Sequence, residues 1–379
     1  MDFSLTDTQV IVQRRARTLA TEIVSQHLDA MEQDDRFPVE IWNGMKESRL
    51  WGVPYPEEFG GSGEGYISYV LALEEIARQS VAVGATLSVH TLATGALYHY
   101  GTPEQRRKFL PPLLTGEHIG SFSFTEKATG SDPAAITTTA VKKDKGFELN
   151  GKKMFSSNST HDGVAIVFAK ENENQISAFI VPKNSPGFKR EERVRKMGLG
   201  GFETAPFTLT NVFVPEENLL GGDAQRGKGF QILLDIISIG KLGIAAQSLG
   251  LAQRALEEAI KYAGKRTKSD KPIRTLPTIQ TLVAEMAVEV EASRWLTYHA
   301  ASQREIGKSI VLDGAMAKLF STESAKRVVD KAMSVHGCYA YTKEFPIERL
   351  YREVKLGELY EGTPEMQKIL IASKVLYAR

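Results

Sequence analysis

A glutamate set between an aromatic ring and a glycine, Tyr360-Glu361-Gly362-Thr363, is the pattern in this chain best suited to moving a proton. Thr363 followed by Pro364 is a strong N-cap and first-turn pair, so a helix should begin at Thr363 and leave Glu361 on the loop just before it. A capped helix start accounts for Thr363 and Pro364 alone. It leaves unexplained a carboxylate beside a ring, where partial desolvation makes it a better base, and beside a glycine, where a substrate can approach the backbone. A second segment, Phe122-Ser123-Phe124-Thr125-Glu126-Lys127-Ala128-Thr129-Gly130-Ser131-Asp132-Pro133, is dense in hydroxyls and small residues. Read alone it is an ordinary loop. Its hydroxyls and exposed amides are also the groups that can hold a flavin ring edge and a phosphate.

Other patterns carry less. Gly146-Phe147-Glu148-Leu149-Asn150-Gly151-Lys152-Lys153 nearly spells a phosphate loop, but Lys153 occupies the place where magnesium needs a hydroxyl. Asn150-Gly151 between alternating segments is better explained as a hairpin turn. The seven histidines form no pair at metal-ligand spacing with a carboxylate partner, and His336 reads as a packed or capping residue.

The elements that must position these residues follow from periodicity. From about 6 to 118 apolar residues recur at helical spacing, as in Val12, Ala16, Leu19 and Ala20, and the glycine-rich run 57–65 reads as a loop. From about 119 to 222 the pattern shortens to alternation, with turn residues at 150–151, 184–187 and Pro215. From Gly229 onward helical periodicity returns in about four long helices, for example Leu282, Met286 and Val290. The expected fold is mainly α with a central β-domain: an N-terminal helical domain (1–118), a β-barrel-like middle domain (119–225) and a C-terminal four-helix bundle (226–379). Without βαβ alternation, any nucleotide must be held by something other than a doubly wound sheet.

Composition narrows the function further. Lysine plus arginine (47) nearly cancels aspartate plus glutamate (46), so no global field attracts nucleic acid or an anionic bilayer. Cys338 is the single cysteine, which excludes a disulfide framework and fits a reducing, cytoplasmic compartment. The N-terminus shows no targeting signal, and apolar runs such as Ile236-Ile237 are cut by polar residues before membrane-spanning length.

Taken in order, these segments resemble the acyl-CoA dehydrogenase family over essentially the whole chain. The middle motif is similar to the family's Thr-Glu-Pro-x-Ala-Gly-Ser-Asp signature, and Lys152-Lys153-Met154-Phe155-Ser156-Ser157-Asn158 to its Lys-x-Trp-Ile-Thr-Asn strand. Lys196-Met197-Gly198 with Thr204, Val214-Pro215 before Asn218-Leu219-Leu220-Gly221, and the closing Tyr-Glu-Gly-Thr complete five matches in register. The resemblance implies FAD as cofactor, with contacts at Phe122, Phe124, Thr125, Gly130, Ser131, Phe155, Ser156 and Ser157. It implies others at Arg266, Val335, Gly337, Thr363 and Glu365. It also implies acyl-thioester contacts at Ser131, Lys241, Tyr360 and Gly362. Glu361 then removes the α-proton, the flavin N5 takes the β-hydrogen as hydride, and the Glu361 N–H polarises the thioester carbonyl. Some relatives carry the base on an earlier helix beside an arginine; here that pair is Gly240-Lys241, so the base falls to Glu361. Glycine there is most like members acting on short, branched or cyclic acyl chains. The family further implies a homotetramer passing electrons to an electron-transfer flavoprotein.

Several family positions are altered. Arg-x-x-Phe-Gly appears as Arg266-Thr267-Lys268-Ser269-Asp270, the following glutamine is Pro277, and Gln-x-x-Gly-Gly is Ser334-Val335-His336-Gly337-Cys338. An Asp270 carboxylate about 6 Å from a pyrophosphate charge would repel it by about 2–3 kcal/mol at an effective dielectric of about 20. Weakened FAD binding, offset by Lys268 or Lys271, is the expectation. Two alternatives remain open at this point: the same oxidation on an acyl or aminoacyl group tethered to a carrier protein, and a catalytically silent relative serving as a binding or assembly partner.

Overall fold

Thr6 opens the first helix through a reciprocal capping box with Gln9, and the same device with Gln105 at Thr102 opens the sixth. Between them run α1 (Asp7–Glu22), α2 (Leu28–Asp34), α3 (Val39–Glu47), α4 (Gly65–Ala77), α5 (Val81–Tyr100) and α6 (Pro103–Leu114). The computed structural model describes residues 4–130, 132–173 and 175–377. The run 57–65 is a loop apart from one short 3-10 turn at Glu57–Phe59, and Gly65 already opens α4.

Strands β1 (Ile119–Ser123), β2 (Thr139–Lys143), β3 (Gly146–Ser157), β4 (Gly163–Asn172), β5 (Gln175–Pro182), β6 (Phe188–Arg190) and β7 (Thr204–Pro215) form one curled sheet. Its order is β1-β4-β2-β3-β7-β6, with β5 on β4; β4 is parallel to β1 and β2, and the other pairs are antiparallel. Period-two alternation explains how the sheet joins two cores. On β4, Ala165 and Val167 enter a cluster within the β-domain, whereas Ile166 and Phe168 point into the main core shared with the helices.

The helical bundle consists of α7 (Gly229–Lys265), α8 (Pro277–Glu305), α9 (Val311–His336) and α10 (Ile347–Leu359), with α11 (Pro364–Leu376) laid against α9. The hairpin β8 (Thr267–Lys268) and β9 (Lys271–Pro272) joins α7 to α8. By length and composition alone α5 and α7 are apolar enough to cross a membrane, with mean hydropathies of 1.3 and 1.6, contrary to the expectation that apolar runs end too early. Both are core helices, buried over 89% and 83% of those windows, and a helix packed on all sides is apolar on all sides.

One turn departs from expectation. Asn150-Gly151 lies inside β3 at a bulge opposite β7, while the hairpin between β2 and β3 turns at Asp144 and Lys145, the latter at φ +59°. Glycine is required at 151 because a Cβ there would sit 2.4 Å from Thr138 Oγ1, and Asn150 uses its side chain to accept from the Asn211 N–H at 2.8 Å.

Lys153 is 0% exposed and carries a charge into this core. Its ammonium donates to Glu126 Oε1 at 2.8 Å and to the Phe168 carbonyl at 2.7 Å, and Glu126 also accepts from the amides and hydroxyls of Thr137 and Thr138. Burial alone would push the Glu126 carboxyl up, but Lys153 and the two threonines hold it at about 2. Removing one partner strands the other charge. Lys153→Met is therefore expected to cost about 3–5 kcal/mol of stability, read from the denaturation midpoint at pH 7. A midpoint within experimental error of the parent would show that the pair carries no such constraint.

Candidate active site

The base loop lies where α7 and α9 cross. Thr363 is the N-cap of α11 by backbone geometry, with its carbonyl accepting from Gln367 N at 3.0 Å, although its hydroxyl makes no capping bond. Glu361 and Gly362 before it are consecutive left-handed residues, at φ +53° and +91°. The carboxyl folds onto α7 at Gly240. A Cβ on Gly240 would stand 3.2 Å from both Cδ and Oε2 of Glu361 and 3.1 Å from Leu92 Cδ2, close enough that these side chains would have to give by a few tenths of an ångström.

Glu361 is half-buried as a residue, yet its Oε2 is shielded from solvent and has no hydrogen-bond partner among the described residues. Burial raises its pKa to about 7, against the pull of Lys318 and Lys241. Both lysines are themselves buried, at 1% and 7% exposure. Burial brings Lys318 down to about 8 and lowers Lys241 as well, while the Glu361 carboxylate opposes both shifts. The Glu361 N–H donates to no acceptor among the described residues and is free to donate to a ligand oxygen. Tyr360 turns away to donate to Gln247 Oε1 at 2.8 Å, and Gln247 in turn donates to the Gly243 carbonyl on α7.

The second cluster sits on β1 and β3. The Met154 N–H donates to the Thr125 carbonyl at 2.8 Å, tying the loop after β1 to β3, and the Ser123 and Ser156 hydroxyls meet at 2.6 Å. Ser157 pairs with Thr204 at 3.3 Å, and Phe122 and Phe124 pack edge to face. Phe155, at φ +51°, is 61% exposed, a large ring held out on a strand. Beside it the Thr125 hydroxyl has no partner among the described residues, and Gly130 faces open space. An exposed ring next to the unpaired Thr125 hydroxyl and the open space at Gly130 fits a flavin ring system. Ser131 lies outside the described residues.

Adjacent residues of α5 connect the two clusters. Leu92 touches the Gly240 position on α7, and the Ala93 Cβ lies 2.5 Å from where a Cβ on Gly120 of β1 would be. Arg266, Val335 and Gly337 are not brought to this place. Arg266 caps α7 26 residues beyond Gly240, about 39 Å away at 1.5 Å per residue. There its guanidinium lies 5.6 Å over Tyr339, beside the β8–β9 turn in which Ser269 and Asp270 are both left-handed. His336 is a packed residue, its Nδ1 on the Ala332 carbonyl at 2.8 Å and its ring against Tyr262. Glu365 is exposed at the start of α11.

Sequence reasoning missed Lys318, Gln367 and the Glu126–Lys153 clamp. A lysine inside the apolar run Ala315-Met316-Ala317-Lys318-Leu319-Phe320 was the available signal.

Comparison with known proteins finds matches along nearly the whole chain. The family models described as "Acyl-CoA dehydrogenase, N-terminal domain", "middle domain" and "C-terminal domain" match residues 6–117, 121–212 and 227–376. The chain is 40% identical to an acyl-CoA dehydrogenase of Bacillus subtilis (strain 168), covering 98% of this chain and 99% of that one. It is 38% identical to an NADH-dependent acryloyl-CoA reductase of Anaerotignum propionicum, over 99% and 96%. Among solved structures it superposes with a TM-score of 0.96, at 36% identity and full coverage of both chains, on one from work on the electron transferring flavoprotein of Acidaminococcus fermentans and flavin-based electron bifurcation.

The Gly240 contact is directly testable. Gly240→Ala adds a methyl that helix propensity favours by about 1 kcal/mol but that crowds the Glu361 carboxyl. Turnover should fall at least about tenfold while the melting temperature holds. Unchanged turnover would place the carboxyl elsewhere.

Proposed function

The chain belongs to the acyl-CoA dehydrogenase family, and on that premise we propose that Glu361 is the base of an α,β-dehydrogenation of a short, branched or cyclic acyl-CoA. The enzyme is an oxidoreductase acting on the CH–CH bond of acyl-CoA, with FAD as cofactor. One observation carries the residue assignment: a shielded, unpartnered carboxyl oxygen with its pKa at about 7, on a loop whose own amide is free.

A hydrogen beside a thioester carbonyl is very weakly acidic, so the site must stabilise the developing enolate and bring the base's proton affinity towards it. Burial of Glu361 does the second. The Glu361 N–H is free to donate to the thioester oxygen, and Lys241 and Lys318 supply positive charge as negative charge moves from the carboxylate to the substrate. FAD held there would supply the hydride acceptor for the β-hydrogen. The two carbons thus lose a proton and a hydride and gain a double bond. Thr125, Phe155, Ser156 and Ser157 would hold the flavin ring, with Thr363 and Glu365 near its far side.

The preference for small acyl groups draws support from Gly243. The Ser88 Oγ and Tyr69 hydroxyl lie 2.3 and 3.1 Å from where its Cβ would be, filling the space one turn beyond Gly240. The separation of Arg266, Val335 and Gly337 from the base supports an FAD whose ADP half is held by a second copy of the chain, as in a homotetramer. An electron-transfer flavoprotein is the proposed acceptor, and the exposed thiol of Cys338 is compatible with a cytoplasmic setting. Because a carboxyl titrating near neutrality can return a proton as readily as take one, the same site serves the reductive direction when the electron donor favours it. That second reading draws on the reductase among the relatives.

Glu361→Gln should lower turnover by about 10²–10⁴-fold, with bound flavin no longer bleaching under anaerobic acyl-CoA titration. Since the ionised carboxyl is the active form, kcat/KM of the parent should fall about tenfold per pH unit below its pKa of about 7 and level off above it. Normal bleaching in the Glu361→Gln enzyme would end the assignment. At the hairpin, Asp270→Gly removes a left-handed aspartate and its charge and should tighten FAD at least about threefold in reconstitution titrations. Unchanged affinity would mean that the turn lies away from the cofactor.

A further inference from the structure

Lys318 is a charge set into the buried stripe of α9, among Ala315, Ala317, Ser321 and Thr322. Its ammonium donates to the Gly362 carbonyl. From the other side Gln367, on the first turns of α11, donates to the same carbonyl at 3.1 Å and to the Glu361 carbonyl at 3.2 Å. Two side chains from two helices therefore grip two successive peptide units. The grip matters because Glu361 is left-handed, a conformation that a residue with a Cβ leaves unless its surroundings hold it. Relaxation to an ordinary φ would rotate the Cα–Cβ bond and carry the carboxyl off Gly240.

We propose that Lys318 is a positioning residue for the base. It pins the Gly362 carbonyl so that Glu361 keeps its left-handed conformation against α7, and its buried positive charge favours the ionised carboxylate. The inference rests on Glu361 being the base. The other groups facing this pair are Lys241 from α7, Tyr360 on the same loop and Glu358 from α10. Glu358 is already engaged by Lys355 and Lys326, and Lys241 makes no hydrogen bond among the described residues. Lys318 is thus the cation that joins the loop's backbone to its charge.

The test uses full-length FAD-loaded enzyme carrying Lys318→Met, Lys318→Gln or Lys318→Arg, with kcat and kcat/KM followed against pH. Flavin content and melting temperature report folding. Loss of the charge makes the carboxylate harder to form, so the acid limb of kcat/KM should move up by about one pH unit in both Met and Gln variants. Lys318→Met should also lose at least about tenfold in kcat, Lys318→Gln less because an amide can still donate, and Lys318→Arg should restore the limb. If Lys318→Met fails to fold, Lys318→Gln and Lys318→Arg decide the matter. A folded Lys318→Gln enzyme with the parent's acid limb overturns the proposal. Glu361→Gln, run in parallel, separates the two claims. If it is inert while the Lys318 variants behave as the parent, only the positioning role fails; if it is active, the base assignment fails with it.

Discussion

Everything in this site depends on holding one carboxyl half-buried, with one of its oxygens shielded from water. The crossing of α7 and α9 provides the place, and its construction explains features that otherwise look unrelated. Gly240 is bare so that the acid can lie on the helix, Glu361 is left-handed so that its side chain points there, and two lysines are buried so that the acid can still ionise. Each alone is unfavourable. A left-handed glutamate is strained, a glycine weakens a helix, and a buried ammonium loses its hydration. Such conflicts collect where a protein trades stability for chemistry, and here they share one short loop.

The β-domain solves a different problem with the same economy of parts. It must present an exposed aromatic ring and the Thr125 hydroxyl on a rigid edge, and an edge is rigid only if the backbone behind it is satisfied. The Glu126–Lys153 pair does this from within: Lys153 grips the Phe168 carbonyl of β4, Glu126 collects four donors from Thr137 and Thr138, and Met154 ties β3 to Thr125. A saturated buried network of this kind rigidifies, where a partly satisfied one would soften. The α5 helix then sets the distance between this edge and the base by touching Gly240 with Leu92 and Gly120 with Ala93.

What was legible in the residues follows the range of the physics. The alternation across 119–222 and the Thr363-Pro364 helix start are local, and the structure has strands and a helix N-cap where the residues put them. Asn150-Gly151 misled because the same dipeptide suits a turn or a bulge, and the choice was made by Thr138, which enters the neighbouring strand β2 right against the glycine. The apolar length of α7 was not legible from runs such as Ile236-Ile237, since it answers to burial on every side, which depends on α4, α5, α8 and α9 together. Lys318 could be seen only as a charge in the wrong place. Its partner, the Gly362 carbonyl, lies 44 residues away, and no periodicity encodes that contact.

The central claim is that Glu361, and no other group, exchanges a proton with the substrate's α-carbon. It is tested most directly with an acyl-CoA whose β-carbon bears no hydrogen, so that proton transfer proceeds without oxidation, by following deuterium entry at the α-carbon from heavy water by NMR. The parent enzyme should incorporate deuterium, and Glu361→Gln should incorporate none above the uncatalysed background. Incorporation by Glu361→Gln at the parent's rate would contradict the account.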